Sequence, residues 1–157
     1  MKLVGIVIGI LLAAGPSWAA DLKATLKKAE AGEAASQYQL AERYAEADGV
    51  DQDYQAALKW ARQAADQGNA KAQYRMASIL FLGVTGEARQ PEALQLFRKS
   101  AEGLEKLAKE GDVDARAKLG ILCARGIGVE KDAERAAKLF TQAAEAGVVK
   151  AQVDLAG

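Results

Sequence analysis

The side chains that could do chemistry in this sequence are carboxylates, because the 157 residues include no histidine and one cysteine, Cys123. The absence of histidine removes the commonest general base and all imidazole metal ligands. It also excludes Ser–His and Cys–His nucleophiles. One thiol also excludes a thiolate zinc site. The acidic pairs Asp51/Asp53 and Asp112/Asp114 stand at turns and helix starts, where carboxylates interact favourably with the helix dipole. We therefore predict no catalytic residue and no metal site.

The glycines and the charge balance argue against phosphate ligands. Gly126-Ile127-Gly128 is a weak match to a phosphate-binding loop, and the internal repeat described below explains it better. Lys and Arg together number 21, as do Asp and Glu. No basic stripe is present to collect phosphates. We expect no bound cofactor and no nucleic-acid partner.

The elements that carry these residues are predicted to be helices. The chain is rich in alanine, is punctuated by glycine and has two prolines, a composition that favours helix. No stretch alternates between apolar and polar residues with period two, so no strand is predicted. The length suits one domain. The fold class is therefore all-α.

The helices belong to an internal repeat. Ala57–Ala77 and Ala136–Ala156 are identical at ten of 21 aligned positions. Aligning Gly32, Gly68, Gly111 and Gly147 divides the chain into units of 36, 43 and 36 residues. Each unit reads as helix–loop–helix, and this period predicts an α/α solenoid.

Equivalent positions within the units show how the helices pack. The first helix of each unit has a large, a small and a large residue at i, i+1 and i+4, on one face of the helix. Asp53 and Asp132 stand where an N-cap is wanted, and Gly68, Gly111 and Gly147 where a left-handed residue ends a helix. The three predicted buried sets are Leu40/Met76/Leu119, Ala41/Ala77/Gly120 and Tyr44/Leu80/Cys123.

These positions resemble the Sel1-like repeat, a relative of the tetratricopeptide repeat with a longer internal loop. The resemblance covers nearly all of the chain after residue 19. It implies an α/α solenoid that binds other proteins, as adaptors of secretion, envelope assembly and signalling do. In the first unit it rests on Leu40, Ala41, Tyr44, Gly49, Val50, Asp53, Ala57, Trp60, Ala64, Ala65 and Gly68, and in the third on Leu119, Gly120, Gly126, Gly128, Val129, Asp132, Ala136, Leu139, Ala143, Ala144 and Gly147.

The expected domains are a signal peptide, 1–19, and a repeat domain, 20–157. We expect an N-terminal half-repeat cap helix over 21–32, with Lys23, Lys27 and Lys28 on its solvated face. Three full repeats follow, and the start of a fourth forms a thin cap. Their predicted ranges are 33–68, 69–111, 112–147 and 148–157.

The second unit departs from the family pattern at two places. Thr85, Gly86 and Arg89 replace the usual Gly, Val and Asp, so its loop should lack the side-chain cap. Its seven surplus residues, 104–110, amount to two helical turns. We therefore predict one long helix from about Pro91 to Lys109. In the third unit Cys123 replaces the usual Tyr, and we expect a buried, unreactive thiol.

The first 19 residues have the pattern of an export signal. Lys2 precedes an apolar run from Leu3 to Ala14, and Ser17 and Ala19 satisfy the small-x-small rule for cleavage after Ala19. The alternative is a membrane anchor, but the run is shorter than the about 20 residues needed to span a bilayer. We expect a periplasmic or secreted protein with no membrane span after cleavage.

Binding of another protein or peptide is the predicted function. The first helices of such a solenoid line its concave face, and the stripe beside the buried one carries aromatic, apolar and charged residues. Tyr38 and Tyr74 fit either binding or packing. The predicted protein-binding residues are Tyr38, Glu42, Tyr74, Ser78, Phe81, Ile121 and Arg125.

Two alternatives to the adaptor stay open at this point. One is a weak cell-wall enzyme or a β-lactam-related role, to which some cysteine-rich relatives have been linked. That analogy is poor, because the cysteine pairs of those relatives are absent from this sequence. The other is a purely structural subunit that oligomerises through its open C-terminal edge.

Overall fold

The computed structural model describes residues 16–86 and 88–147, and all regular elements within these ranges are α-helices, which confirms the all-α prediction. No described helix is long and apolar enough to cross a membrane. The seven described helices are α1 (Pro16–Glu30), α2 (Ala34–Glu46), α3 (Tyr54–Asp66), α4 (Ala70–Leu82), α5 (Gln90–Lys109), α6 (Val113–Arg125) and α7 (Ala133–Glu145).

The helices form three hairpins stacked in chain order. The hairpins are α2/α3, α4/α5 and α6/α7, and α1 packs on α2 as a half-repeat. Between hairpins, α3 packs on α4 and α5 on α6. The first helices α2, α4 and α6 also touch one another in sequence, whereas α3, α5 and α7 do not pack together. The first helices therefore form the inner, concave face of the solenoid. The second helices α3, α5 and α7 lie apart from one another on the other face.

The N-terminal half-repeat starts earlier than the sequence indicates. The predicted cap helix covers 21–32, whereas α1 runs from Pro16 to Glu30. Proline suits the first turn of a helix, where its missing N–H has no partner to lose. Lys23, Lys27 and Lys28 are exposed, as expected for an outer face. The predicted cleavage point after Ala19 lies within α1, and residues 1–15 lie outside the described residues.

Small residues allow the hairpin helices to approach closely. The predicted large positions Leu40, Met76 and Leu119 are buried, and so are the neighbouring small positions. Gly120 shows why the small position must be small: a Cβ atom there would lie 2.7 Å from the Phe140 ring. At the third predicted position Leu80 and Cys123 are buried, but Tyr44 is only half-buried.

The predicted helix ends are confirmed. The side chains of Asp53 and Asp132 accept backbone N–H bonds at the starts of α3 and α7, each worth about 1 kcal/mol. Gly68, Gly111 and Gly147 have φ values of +86°, +100° and +88°, in the region that favours glycine.

The loop of the second unit lacks the side-chain cap of the other loops but keeps the backbone hydrogen bond that joins its two ends. Arg89 precedes α5 without a side-chain cap, as its sequence predicts. Its backbone N–H nevertheless donates to the carbonyl of Leu80 at 2.9 Å. The same bond closes the other two loops at the same length, from Asp53 to Tyr44 and from Asp132 to Cys123. Backbone geometry therefore preserves the loop where the sequence motif is lost.

The seven surplus residues extend α5 as predicted. This helix has 20 residues, against 13 in each of α2, α3, α4, α6 and α7. Leu104 is fully buried and Leu107 half-buried against the core. The two extra turns therefore continue the apolar face of the helix and pack on the start of α6.

Candidate functional site

The predicted binding residues all lie on the three first helices. The only fully exposed residue of the set is Arg125. The half-buried ones are Glu42, Tyr74, Ser78, Phe81 and Ile121, and Tyr38 is buried, with 8% of its surface exposed.

Tyr38 connects the first repeat to the third. Its hydroxyl donates to Asp114 Oδ2 at 2.8 Å, across the width of α4. The ammonium groups of Lys71 and Lys118 lie 5.4 and 5.7 Å from the ring centroid. Burial, followed by the carboxylates of Glu42 and Asp114, raises the pKa of the Tyr38 phenol above its usual value. Tyr38 could bind a partner or pack between repeats, and its burial and bonded hydroxyl favour packing.

Arg75 connects the first repeat to the second. Its Nη2 donates to Glu42 Oε2 and to Glu46 Oε1, both at 2.8 Å, and its Nε donates to Glu42 Oε1. Burial opposes the charge of the guanidinium, but the two carboxylates outweigh it and raise the pKa of Arg75. Such a bidentate contact fixes the relative position of α2 and α4.

Lys118 completes the connection from α6. Its side chain is 8% exposed, and its Nζ lies 2.5 Å from Asp114 Oδ1 and 3.7 Å from Glu42 Oε2. Burial would raise the pKa of the Asp114 carboxyl, but Lys118, Tyr38 and Lys71 together lower it. We call this set the concave network; its members are Tyr38, Glu42, Glu46, Lys71, Arg75, Asp112, Asp114 and Lys118.

Tyr74 and Phe81 lie at the edge of the core. The Phe97 ring of α5 meets the Tyr74 ring edge-on at 5.4 Å and the Phe81 ring at 6.2 Å. The Lys118 ammonium lies 5.6 Å from the Tyr74 centroid. Both rings are half-buried, so one part of each packs against the hydrophobic core and the other part is accessible to solvent.

Individually, the cations of the concave network carry no recognisable sequence signal. Lys71, Arg75 and Lys118 have no motif of their own, and the Asp112/Asp114 pair was explained by the helix dipole. Asp112 does cap α6, accepting the N–H of Ala115. It also binds Lys71 at 2.8 Å, and Asp114 has partners in two other repeats, Tyr38 in the first and Lys71 in the second. The available signal was the Asp114/Lys118 spacing of four residues on a first helix.

The described residues offer no assembled metal site, since no group of three His, Cys, Asp or Glu side chains converges among them. Cys123 is fully buried, and burial raises the pKa of its thiol. That environment is the opposite of the one that activates a cysteine nucleophile.

A family model described as the Sel1 repeat matches the chain three times, over residues 34–69, 70–103 and 113–148. Each match covers one hairpin. Residues 104–112, which include the surplus turns of α5, fall between the second and third matches.

Relatives and solved structures share the repeat over part of the chain. The chain is 38% identical to protein sel-1 homolog 2 of Rattus norvegicus over 59% of its length, and 32% identical to the Sel1-repeat-containing protein YjcO of Escherichia coli K12 over 58%. The matched regions are 12% and 38% of those proteins.

Among solved structures, a protective antigen of uropathogenic Escherichia coli matches 88% of the chain at 34% identity and a TM-score of 0.56, which covers 28% of that antigen. A Sel1 repeat protein of Oxalobacter formigenes matches 86% at 28% identity and a TM-score of 0.50, which covers 96% of that protein.

Proposed function

The chain belongs to the Sel1 repeat family, and we propose that it works outside the cytoplasm as an adaptor, holding a protein partner on the concave face of α2, α4 and α6. Sel1 repeat proteins are generally protein–protein interaction modules, and their solenoid is typically a non-enzymatic scaffold.

One observation carries the choice of face. The concave network joins all three repeats, since Arg75 ties α4 to α2 while Tyr38 and Lys118 tie α6 to α2. A surface held by bonds between repeats keeps its shape before a partner arrives, so less ordering entropy opposes binding.

The residues available to a partner lie on α4 and α6, which also carry members of this network. Arg125 and Leu82 are exposed, Leu82 by 69% of its surface, and Ser78 and Ile121 are half-buried. Apolar Leu82 and Ile121 together with the cation of Arg125 suit a peptide or a helix of mixed apolar and charged character. In this proposal Glu42, Tyr74 and Phe81 contribute the edges of the surface, and Tyr38 supports it from below.

The experiment is affinity capture from the cell envelope with the full chain and two variants. Ser78→Arg/Arg125→Glu changes the concave face at side chains outside the concave network. Gln63→Arg/Arg62→Glu makes the same change of charge on α3 and serves as the control. A partner held by the wild type and the control but lost by the concave variant supports the proposal. A partner held equally by all three chains contradicts it.

Export is tested separately, by expressing the full chain with a C-terminal tag in a Gram-negative host. We expect the protein in the periplasmic or culture fraction with Ala20 as its first residue. A chain that stays in the cytoplasm with residues 1–19 attached would contradict the signal peptide.

A further inference from the structure

A cleft of about 370 Å³ lies on the other side of the solenoid, between α5 and α7. The two helices do not pack on each other, and both pack on α6, which forms the floor. Glu105, Ala108 and Lys109 of α5 line one wall. All three belong to the two surplus turns, outside the segments that match the repeat. The insertion therefore supplies one wall of the cleft, and the third repeat supplies the rest.

The rim of this cleft is basic. Lys109, Arg116, Arg135 and Lys138 line it, with Glu105 as the single carboxylate. Glu105 is shared by Arg135 at 3.0 Å and by Lys109 at 3.4 Å. Four cations against one carboxylate leave an excess of positive charge among the lining side chains.

Two of the cations have no carboxylate partner among the described residues. Arg116 donates its Nε–H to the Ala108 carbonyl at 3.1 Å, near the end of α5, and forms no ion pair with any described residue. Lys138 is exposed and likewise has no ion pair within residues 16–86 and 88–147. A cation whose charge is not neutralised inside the protein attracts an anionic partner.

The lining also has an apolar part. Leu139 is half-buried on α7, Leu119 of α6 lies in the floor, and Ala108 adds an apolar group on the α5 wall. A groove between two helices with an apolar floor and charged rims fits an amphipathic helix, which inserts apolar residues and presents charges at the margins.

We propose that the α5–α7 cleft is a second protein-binding site, which takes an acidic amphipathic helix from a partner. The glutamates and aspartates of the partner helix would pair with Arg116 and Lys138, and one of its apolar side chains would lie on Leu139. Long polyanions such as nucleic acid are disfavoured because the whole chain has no net charge to attract them from a distance. The site is independent of the concave face, so either can fail without the other.

The test uses fluorescence anisotropy with the full chain and a labelled 14-residue helical peptide bearing Leu on one face and Glu on its flanks. A second peptide replaces every Glu by Gln. We expect the acidic peptide to bind at least about tenfold more tightly at low salt, with the difference shrinking as salt rises. Equal affinities for the two peptides would overturn the proposal.

Variants locate the site on the molecule. Arg116→Gln/Lys138→Gln should weaken acidic-peptide binding by about tenfold, which corresponds to about 1.4 kcal/mol. Lys138→Gln alone, at an exposed side chain, should weaken it about threefold without affecting the fold. Lys59→Gln/Arg62→Gln removes the same two charges from α3, and binding should be unchanged. Equal losses in the α3 control and in the cleft variants would refute the assignment.

The other anionic macromolecules are outcomes of the same experiment. A single-stranded 14-nucleotide DNA and vesicles of anionic phospholipid are added as competitors at matched charge. Weak or absent competition supports a peptide site. If either displaces the acidic peptide as well as unlabelled peptide does, the cleft is a general anion surface and the proposal fails.

Discussion

Tyr38→Phe tests the bond that joins the first and third repeats. The substitution removes one hydroxyl and keeps the ring, so it creates no cavity beside Lys71 and Lys118. The lost bond is the 2.8 Å hydrogen bond to Asp114 Oδ2. A hydrogen bond to a charged group contributes about 1.5–3 kcal/mol to stability.

Two features of Asp114 reduce the expected loss. The carboxylate keeps Lys118 at 2.5 Å, and its side chain is 42% exposed, so water replaces the phenol. No buried group is left unsatisfied, and we expect a loss of about 1–1.5 kcal/mol. With a urea m-value of about 2 kcal/mol/M, the unfolding midpoint should fall by about 0.5–0.75 M.

The assay is urea unfolding of the full chain, followed by circular dichroism, with Tyr44→Phe as the matched control. Tyr44 lies on the same helix and is half-buried, and its hydroxyl has no hydrogen bond to a described residue. Its substitution should change stability by less than about 0.5 kcal/mol. A double-mutant cycle with Asp114→Ala should return a coupling of about 1–1.5 kcal/mol.

The effect of Tyr38→Phe should also depend on pH. The pKa of Asp114 is lowered in the folded protein, so its stabilisation is complete above the usual value of 3.8 and is lost as pH falls through the folded value. The difference between wild type and Tyr38→Phe should therefore be constant near neutrality and shrink below about pH 4. Equal effects of the two Tyr→Phe changes, or additivity with Asp114→Ala, would refute the reasoning.

Three further predictions concern packing and local chemistry. Gly103→Ala should destabilise the protein by about 1–2 kcal/mol despite the better helix propensity of alanine, because the new Cβ would lie 2.5 Å from the Cβ of Ala70. Adding Ala70→Gly should recover most of that loss, as measured by urea unfolding. Cys123, which is fully buried, should react with a thiol reagent only when the protein is unfolded, as absorbance against urea concentration would show. Asp53→Ala should lower the unfolding free energy by about 1 kcal/mol, whereas Arg89→Ala, at a helix start without a side-chain cap, should change it by less than about 0.5 kcal/mol.

The repeat, its helices and their ends could be predicted from the sequence because they depend on local rules. A period of 36 residues, an apolar stripe at helical spacing and capping aspartates each act within one hairpin. The extension of α5 was predictable for the same reason, since two whole turns keep Leu104 on the buried face. The cap helix differed most, since α1 runs from Pro16 to Glu30 where 21–32 was predicted.

The roles of the concave residues were less accessible. Glu42, Tyr74, Ser78, Phe81, Ile121 and Arg125 could be placed on the first helices by spacing alone. Whether a side chain on that stripe is open or engaged depends on what the neighbouring repeats present to it. For Tyr38 the two roles had equal support, and its burial against Asp114 and Lys118 is a tertiary fact that spacing does not reveal.

Sequence alone determined that this chain is a solenoid of three helical hairpins with an enlarged second unit. Tertiary structure alone decided how tightly the solenoid coils and what that brings together. The rotation between successive hairpins is small and accumulates, so a contact between Tyr38 and Asp114, 76 residues apart, has no local pattern to reveal it. The same holds for the basic cleft, whose cations come from three helices and meet only because α5 and α7 both pack on α6.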